Sequence, residues 1–166
     1  YGLGMVADGT GVLLNNELDD FAAKAGAANA YGLVQYEANL PGPGKRPLSS
    51  MSPTIVLKDG KPVLITGSPG GSRIITAVLQ IILNSLDFGM SIDQAVSAPR
   101  LHHQWMPDQV LVEPGFDPAL LADLAARGHK IVPARPATSA NSIAVTKDGI
   151  VGAADPRTRG ALAAGY

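Results

Sequence analysis

Serine hydroxyls and bare glycine backbone meet at one end of a hairpin that the sequence predicts. The hairpin covers Met51–Gly67 and turns at the Asp-Gly pair of "KDGK", with apolar residues on both sides. Ser49 and Ser50 precede its first strand, and Gly70 and Gly71 of "GSPGGS" follow its second strand. Because a hairpin brings its two ends together, these serines and glycines should lie close in space and could act on one ligand.

The glycine pair stands where a strand ends and an apolar helical pattern begins. A helix N-terminus carries unpaired N–H groups and partial positive charge, and glycine lets a ligand approach the backbone closely. Gly70 and Gly71 could therefore bind an anion or form an oxyanion hole. The alternative is a tight turn that needs unusual dihedral angles, and the residues alone favour it. A P-loop is excluded because no Lys-Ser/Thr pair follows the glycines.

The serines and an acidic segment each have a functional and a simpler interpretation. Ser49 and Ser50 could be nucleophiles, but no G-x-S-x-G elbow surrounds them, so solvated loop hydroxyls are the default. Glu17, Asp19 and Asp20 could form a carboxylate site for a cation or an ammonium group. Judged alone, they are better described as a solvated acidic turn.

Two further segments carry polar residues with weaker signals. His102 and His103 in "RLHHQW" suggest a metal site, but adjacent side chains point in different directions and no partner has a useful spacing. Packing or surface roles are favoured for both histidines. Asp155, Pro156 and Arg157 could also have a functional role, and a turn is the default interpretation.

The elements that position these residues are predicted to form a single α+β domain over residues 1–166. A helix from about Ser72 or Arg73 to Leu86 follows the hairpin. Residues 22–44 lack periodicity and are predicted to be a long, lid-like surface loop. Further elements are a short strand at the start of "TGVLLNNELDDF", a helix from Ser91 or Ile92 to Pro99, strands in "VLVEPGF" and "KIVPA", a helix in "DPALLADLAARGH" and a hairpin in "NSIAVTKDGIVGAAD". This order predicts helices on one side of a mainly antiparallel sheet.

Composition excludes several classes of function. Charged residues make up 16% and the net charge is -1, which does not indicate a surface for nucleic acid or for anionic membranes. Without cysteine, disulfides and thiolate metal sites are excluded, and no apolar run has membrane-spanning length. The chain begins at Tyr1 without Met, and we expect it to be part of a longer sequence.

Five blocks of sequence together resemble one family. They are "GVLLNNELDDF", "KRPLSSMSPTIV", "GSPGGSRIITAVLQ", "APRLHHQW" and "ADPRTRGALAAGY". In this order and spacing they are similar to γ-glutamyltranspeptidases, over essentially the whole chain and in the region of the small subunit. The resemblance implies an Ntn-hydrolase fold, an αββα sandwich of which this chain is the small-subunit half.

The same resemblance implies a γ-glutamyltransferase or glutathione hydrolase. Such an enzyme cleaves γ-glutamyl amides and transfers the γ-glutamyl group to water, an amino acid or a peptide through a covalent acyl-enzyme. The precursor cleaves itself, so the implied partner is the large subunit, and no cofactor or metal is expected. The family's nucleophile is an N-terminal threonine whose own amine can act as the base. Because Tyr1 stands first here, we expect the chain alone to be inactive.

The resemblance also implies roles for individual residues. Gly70 and Gly71 match the pair whose N–H groups form the family's oxyanion hole. Ser49 and Ser50 match serines that hydrogen-bond the α-carboxylate of the substrate.

Three further residues match the substrate-binding groups of the family. Glu17 and Asp20 match the acidic pair that holds the α-ammonium group, and Tyr31 in the loop 22–44 resembles a gate residue over the pocket. The chemistry agrees, because a γ-glutamyl group is a zwitterion with a reactive amide. It needs carboxylates at its ammonium, hydroxyls at its carboxylate and donors at its carbonyl.

Two other functions remain open from the sequence. One is a non-catalytic fragment or relative that acts as a structural or binding domain, and the other is a related acyltransferase acting on poly-γ-glutamate. A threonine directly after a self-cleavage site would mark an enzyme, whereas the lid and the acidic pair suit a free amino-acid end better than a polymer. Because bacterial relatives are mostly exported, the resemblance implies a periplasmic or secreted protein.

Overall fold

Two compact units, Tyr1–Ser49 and Ser50–Tyr166, make up the chain. The structure is a computed structural model that describes Gly2 and residues 4–165. The expectation based on Tyr1 therefore lies outside the described residues. Among the described residues, no helix is long and apolar enough to cross a membrane.

The first unit consists mainly of turns. Its regular elements are 3₁₀ turns at Glu17–Asp20 and Glu37–Asn39 and isolated bridges at Val6–Leu13 and Ala28–Val34. The prediction of a strand at the start of "TGVLLNNELDDF" was wrong, since only the isolated bridge between Val6 and Leu13 forms there. Both bridge side chains are about half exposed, so this segment buries too little apolar surface to support a longer ladder.

The second unit contains the strands and the α-helices. The strands are β1 (Thr54–Lys58), β2 (Lys61–Gly67), β3 (Leu101–His102), β4 (Val110–Val112), β5 (Ile131–Pro133), β6 (Asn141–Thr146) and β7 (Gly149–Ala154). The helices are α1 (Arg73–Leu86), α2 (Ile92–Ser97) and α3 (Pro118–Ala126). Helices and mainly antiparallel sheets together form the α+β fold predicted from the sequence.

The larger sheet has the order β1-β2-β6-β7 and confirms the predicted hairpin. β1 and β2 pair antiparallel with Thr54 opposite Thr66, and β6 and β7 form the second hairpin. β1 begins at Thr54 rather than at Met51, because Pro53 has no N–H group to donate to a ladder. The smaller sheet has the order β3-β4-β5, and its β4–β5 pair is parallel.

The helices begin where their sequences predict. α1 starts just after the glycine pair and buries an apolar stripe of Ile74, Ala77, Val78 and Ile81. α2 opens with a capping box, in which the Ser91 N–H donates to Gln94 Oε1 over 3.1 Å. At α3, Asp117 Oδ1 accepts a hydrogen bond from the Ala119 N–H at 2.8 Å.

One face of the larger sheet packs against α1 and α2, and the other face is largely exposed, although a Cβ on Gly152 would lie only 3.1 Å from Ala163 Cβ there. The buried cluster consists of Leu64, Ile81, Ile92, Ala95, Val96, Ala140 and Ala153. Because side chains alternate along a strand, Ile55, Ile143 and Ile150 point away from this cluster, and they are 63%, 41% and 76% exposed. This chain therefore leaves much of one apolar sheet face uncovered.

Candidate active site

Only glycine fits at the first position of the turn between β2 and α1. Gly70 has a φ of +139° and Gly71 a φ of +58°, which residues with a side chain rarely adopt. A Cβ atom on Gly70 would lie 2.7 Å from Thr138 Cγ2 and 3.0 Å from the carbonyl oxygen of Ala137. The turn is therefore closely packed as well as unusual in its backbone conformation.

The N–H groups of this turn are available as donors. Within the described part of the chain, neither the Gly70 nor the Gly71 N–H is bonded to another residue. Their carbonyls are bonded, since the Arg73 N–H donates to Gly70 O at 3.2 Å and the Ile74 N–H to Gly71 O at 3.0 Å. Two donors at the positive end of a helix can bind a developing oxyanion.

The serines of "RPLSSMS" lie at the boundary between the two units. Ser49 is exposed and Ser50 is half-buried. Ser50 O accepts a hydrogen bond from Ser52 Oγ at 3.1 Å, and Ser52 O accepts one from Thr54 Oγ1 at 3.0 Å. These bonds tie the serine segment to the start of β1, whose partner β2 leads to the glycine turn.

The acidic residues Glu17 and Asp20 are brought together by their 3₁₀ turn. Burial raises the pKa of Asp20 to about 6, and a hydrogen bond and repulsion from Glu17, followed by repulsion from Asp19, contribute to the increase. No salt bridge joins this cluster to a basic residue among those that the structure describes. An ammonium group bound here would relieve the repulsion and lower the pKa of Asp20.

Asn39 positions the acidic turn, and sequence reasoning missed it. Its Nδ2 donates to Asp20 O over 2.6 Å and also to Gln35 Oε1. Its Oδ1 accepts from the Leu48 N–H at 2.9 Å, and its carbonyl oxygen accepts from the Ala22 N–H at 2.9 Å. One asparagine therefore ties Asp20 to the segment that precedes the serines. It lies in the loop 22–44, where no periodic pattern could distinguish it.

Tyr31 lies at the tip of a small, internally bonded turn in the loop 22–44. Asn29 Oδ1 accepts hydrogen bonds from the N–H groups of Tyr31 and Leu33, at 3.0 and 3.1 Å. The bridge between Ala28 and Val34 closes the turn. The loop therefore holds Tyr31 in a defined turn, while its role as a gate stays a prediction.

His102 and His103 make hydrogen bonds to different residues. His102 Nδ1 lies 2.8 Å from Thr76 Oγ1, and His103 Nε2 lies 3.1 Å from Asp108 Oδ1. In the described ranges, no group of three or more His, Cys, Asp or Glu residues could hold a metal ion. His102 is buried, in agreement with a packing role, and His103 is partly exposed.

A buried ion network supports the second unit, and the sequence interpretation of a simple turn missed it. The Arg157 N–H does donate to Asp155 Oδ1 at 3.0 Å, but Asp155 is fully buried. Asp155 Oδ2 lies 2.8 Å from Arg100 Nη2, and Arg157 bridges Asp155 and Glu113 at 3.0 and 2.5 Å. No periodic signal connects Arg100 and Glu113 with the turn at Asp155 and Arg157, because these segments are far apart in sequence.

Comparison with known proteins gives consistent matches. Residues 1–165 match the family model described as "Gamma-glutamyltranspeptidase". The chain is 56% identical over 167 residues to a glutathione hydrolase proenzyme of Escherichia coli, covering all of this chain and 29% of that protein. It is 49% identical to the corresponding proenzyme of a Pseudomonas species, covering all of this chain and 31% of the relative.

The structural comparison agrees with the sequence matches. A crystal structure of a mutant γ-glutamyltranspeptidase from Helicobacter pylori superposes with a TM-score of 0.88 at 50% identity. The match covers 95% of this chain and 88% of the other chain. The chain thus spans about 30% of the length of the curated relatives but most of one chain of a solved structure.

Proposed function

This chain belongs to the γ-glutamyltranspeptidase family, and on that premise we propose that the complete protein is a γ-glutamyltransferase and glutathione hydrolase. It cleaves the γ-glutamyl amide bond of glutathione or a similar compound and passes the γ-glutamyl group to water, an amino acid or a peptide. Its fold is the α+β fold of Ntn hydrolases.

The availability of the Gly70 and Gly71 N–H groups carries the proposal. In the proposed reaction, a threonine at the N-terminus of the subunit attacks the γ-carbonyl carbon, and the carbonyl oxygen gains negative charge. The two N–H groups donate hydrogen bonds to that oxygen. The amine leaves, and water or an acceptor amine then attacks the acyl-enzyme in the same way.

The remaining candidate residues are proposed to bind the ends of the γ-glutamyl group. Ser49 and Ser50 donate hydrogen bonds to the α-carboxylate, and Glu17 and Asp20 accept them from the α-ammonium group. Support comes from the raised pKa of Asp20, because a bound ammonium group would offset the repulsion from Glu17 and Asp19. Tyr31 is proposed to cover the pocket as part of the lid.

The partner proposed for this chain is the large subunit of the same precursor. The open sheet face with Ile55, Ile143 and Ile150 supports this proposal, because an apolar sheet face is normally covered by a second layer. The periplasm or the cell exterior is the proposed location, on the basis of the resemblance to bacterial members. The alternatives, a non-catalytic domain or a poly-γ-glutamate acyltransferase, are not favoured by the glutathione hydrolase names of the similar proteins.

A substrate without the α-amine tests the proposal. In the complete protein, Asp20→Ala should lose a charge-assisted hydrogen bond worth about 2–4 kcal/mol and lower kcat/KM for γ-glutamyl-p-nitroanilide by roughly 30- to 1,000-fold. Glutaryl-p-nitroanilide lacks the amine, so it should be a poor substrate for the wild type and little worse for the variant. Asp19→Ala, in the same turn, is the control and should retain most activity.

Two outcomes would contradict the proposal. A wild-type complete protein that releases no nitroaniline from the γ-glutamyl substrate is not a γ-glutamyltransferase. If Asp20→Ala loses the same factor on the glutaryl substrate as on the γ-glutamyl substrate, Asp20 does not bind the ammonium group. Self-cleavage of the precursor should be unaffected by Asp20→Ala, because that step involves no substrate ammonium.

A further inference from the structure

We infer that Gln104 is a positioning residue for the turn at Gly70 and Gly71, and that it acts through the side chain of Ser72. The inference rests on the proposed function, because the turn is taken to supply the oxyanion donors. Gln104 directly follows His102 and His103, for which the sequence favoured packing or surface roles.

The amide of Gln104 is oriented by its partners. Its Nε2 donates to Met106 O over 3.0 Å, and a backbone carbonyl can only accept. Its Oε1 therefore faces the other way, where it accepts from Ser72 Oγ at 2.7 Å and lies 2.8 Å from His102 Nε2. The Ser72 side chain is consequently held by an acceptor with a fixed direction.

The hydrogen-bond partners of His102 also determine which of its ring nitrogens carries the proton. Because Gln104 Oε1 only accepts, His102 carries its proton on Nε2, and its Nδ1 accepts from Thr76 Oγ1 at 2.8 Å. Burial lowers the pKa of His102 and outweighs the hydrogen bond to Gln104, while the charge of Arg73 lowers it further. The neutral ring thus completes a network that begins at Ser72 and ends at Thr76.

This network clamps the first turn of α1. Ser72 and Thr76 are four residues apart, so their side chains lie on the same side of the helix. Ser72 is only 6% exposed and follows Gly71 directly in the chain. Its hydroxyl makes no capping hydrogen bond to the helix and donates to Gln104 Oε1.

The glycine turn needs such an anchor. Glycine has more backbone freedom than any other residue, and Gly70 and Gly71 both have positive φ angles. The hydrogen bond between Ser72 and Gln104 fixes the position of Ser72, which directly follows the glycine pair. It therefore also fixes the direction of the Gly70 and Gly71 N–H groups. Without that bond, the N–H groups would point less accurately at the oxygen on which charge develops in the transition state.

If the Gly70 and Gly71 N–H groups point less accurately at the oxygen, kcat should fall and substrate affinity should change little. The charge on the carbonyl oxygen is largest in the transition state, so its donors contribute little to ground-state binding. Because loss of a whole oxyanion donor costs roughly 100- to 1,000-fold in kcat, misdirection should cost roughly 10- to 100-fold. KM for γ-glutamyl-p-nitroanilide should change by less than about twofold.

The test compares Gln104→Ala, Ser72→Ala and the double variant in the complete protein. The readouts are kcat and KM for γ-glutamyl-p-nitroanilide, together with hydrogen exchange of the peptide covering residues 68–76. Both single variants should lower kcat and speed exchange in that peptide. The double variant should lose no more than the worse single variant, because both remove the same bond. Gln109→Ala, which lies shortly after Gln104 in the chain but outside the network, is the matched control and should resemble the wild type.

Exchange distinguishes this inference from the proposed function. A wild type without γ-glutamyl activity would refute the function, and the exchange of residues 68–76 would still decide whether Gln104 holds the turn. Unchanged exchange in Gln104→Ala overturns the inference, as does a loss confined to KM. Additive losses in the double variant would also overturn it, since Gln104 would then act independently of Ser72.

Discussion

Replacement of Asp155 by alanine is expected to destabilise the second unit more than other single changes of surface or turn residues. The carboxylate is 0% exposed and accepts hydrogen bonds from the backbone N–H groups of Ala140 and Arg157 at 2.8 and 3.0 Å. It also pairs with the guanidinium groups of Arg100 and Arg157. Alanine at this position would remove both carboxylate oxygens, so all of these donors would lose their acceptor.

The magnitude follows from which partners are left unpaired. Arg157 keeps Glu113, at 2.5 Å, and so retains a counter-charge. Arg100 is 5% exposed and keeps side-chain hydrogen bonds only to neutral groups, Val96 O and Thr138 Oγ1, while the charge of Glu113 acts on it without a direct side-chain bond. Removal of one partner of a buried ion pair costs about 3–5 kcal/mol, which corresponds to a fall in Tm of roughly 12–20 °C for a unit of this size.

Thermal denaturation of the complete protein measures this effect. Asp155→Asn keeps one oxygen acceptor and the volume, so it should lie between the wild type and Asp155→Ala. Asp148→Ala removes an exposed acid in the β6–β7 turn and should shift the free energy of unfolding by less than about 0.5 kcal/mol. If Asp155→Ala melts within 1–2 °C (roughly 0.5 kcal/mol) of Asp148→Ala, the ion network does not contribute as argued.

The pH dependence gives an independent check. Burial alone would raise the pKa of Asp155, but hydrogen bonds from the N–H groups of Arg157 and Ala140, together with both guanidinium groups, outweigh it and lower the pKa. The folded-state pKa is therefore below the unfolded value, so the stabilisation is complete above the unfolded value of 3.8. It should be lost as the pH falls through the folded-state pKa, and Asp155→Asn should show less of this loss.

Three further predictions concern the site and the isolated chain. For the complete protein, kcat/KM should rise with pH through about 6 as Asp20 ionises, and this limb should be absent from the pH–rate profile of Asp20→Asn. Gly70→Ala should destabilise the protein by about 1–3 kcal/mol in thermal or chemical denaturation, because its φ of +139° is strained for alanine and its Cβ would crowd Thr138. The 166-residue chain alone should release no nitroaniline from γ-glutamyl-p-nitroanilide and should elute as an associated species in size-exclusion chromatography, because Ile150 and its neighbours expose an apolar sheet face. A monomeric, active chain would contradict that last prediction.

Local patterns predicted most of the second unit. The Asp-Gly turn located the β1–β2 hairpin, and the helical spacing from Ile74 located α1 with the observed bounds. Ser91, predicted as a possible start of α2, forms a capping box with Gln94, which is a contact within four residues of sequence. Each of these features depends on neighbours in sequence, which is why the sequence alone was sufficient.

Polar contacts between distant segments could not be predicted in this way. Arg100 and Asp155 are paired across 55 residues, and Ser72 and Gln104 across 32. Such pairs leave no period in the sequence, and each member alone is compatible with a turn or a surface position. The strand prediction in the first unit was wrong for a related reason. Apolar residues such as Leu13 predicted a strand in a segment that buries little apolar surface.

The buried polar contacts and the glycine turn belong to one physical arrangement. Asp155 binds Arg100, and Arg100 Nη1 donates to Thr138 Oγ1 over 2.8 Å. The methyl group of Thr138 lies 2.7 Å from the position that a Cβ on Gly70 would take. Thr138 therefore packs on one side of the turn while Gln104 holds the residue that follows it. A flexible glycine pair can present two N–H groups in a fixed direction only if rigid groups surround it, and the buried ion network supplies part of that rigidity. Stability and the geometry of the glycine turn are consequently coupled through Thr138, so a loss at Asp155 should reach the turn.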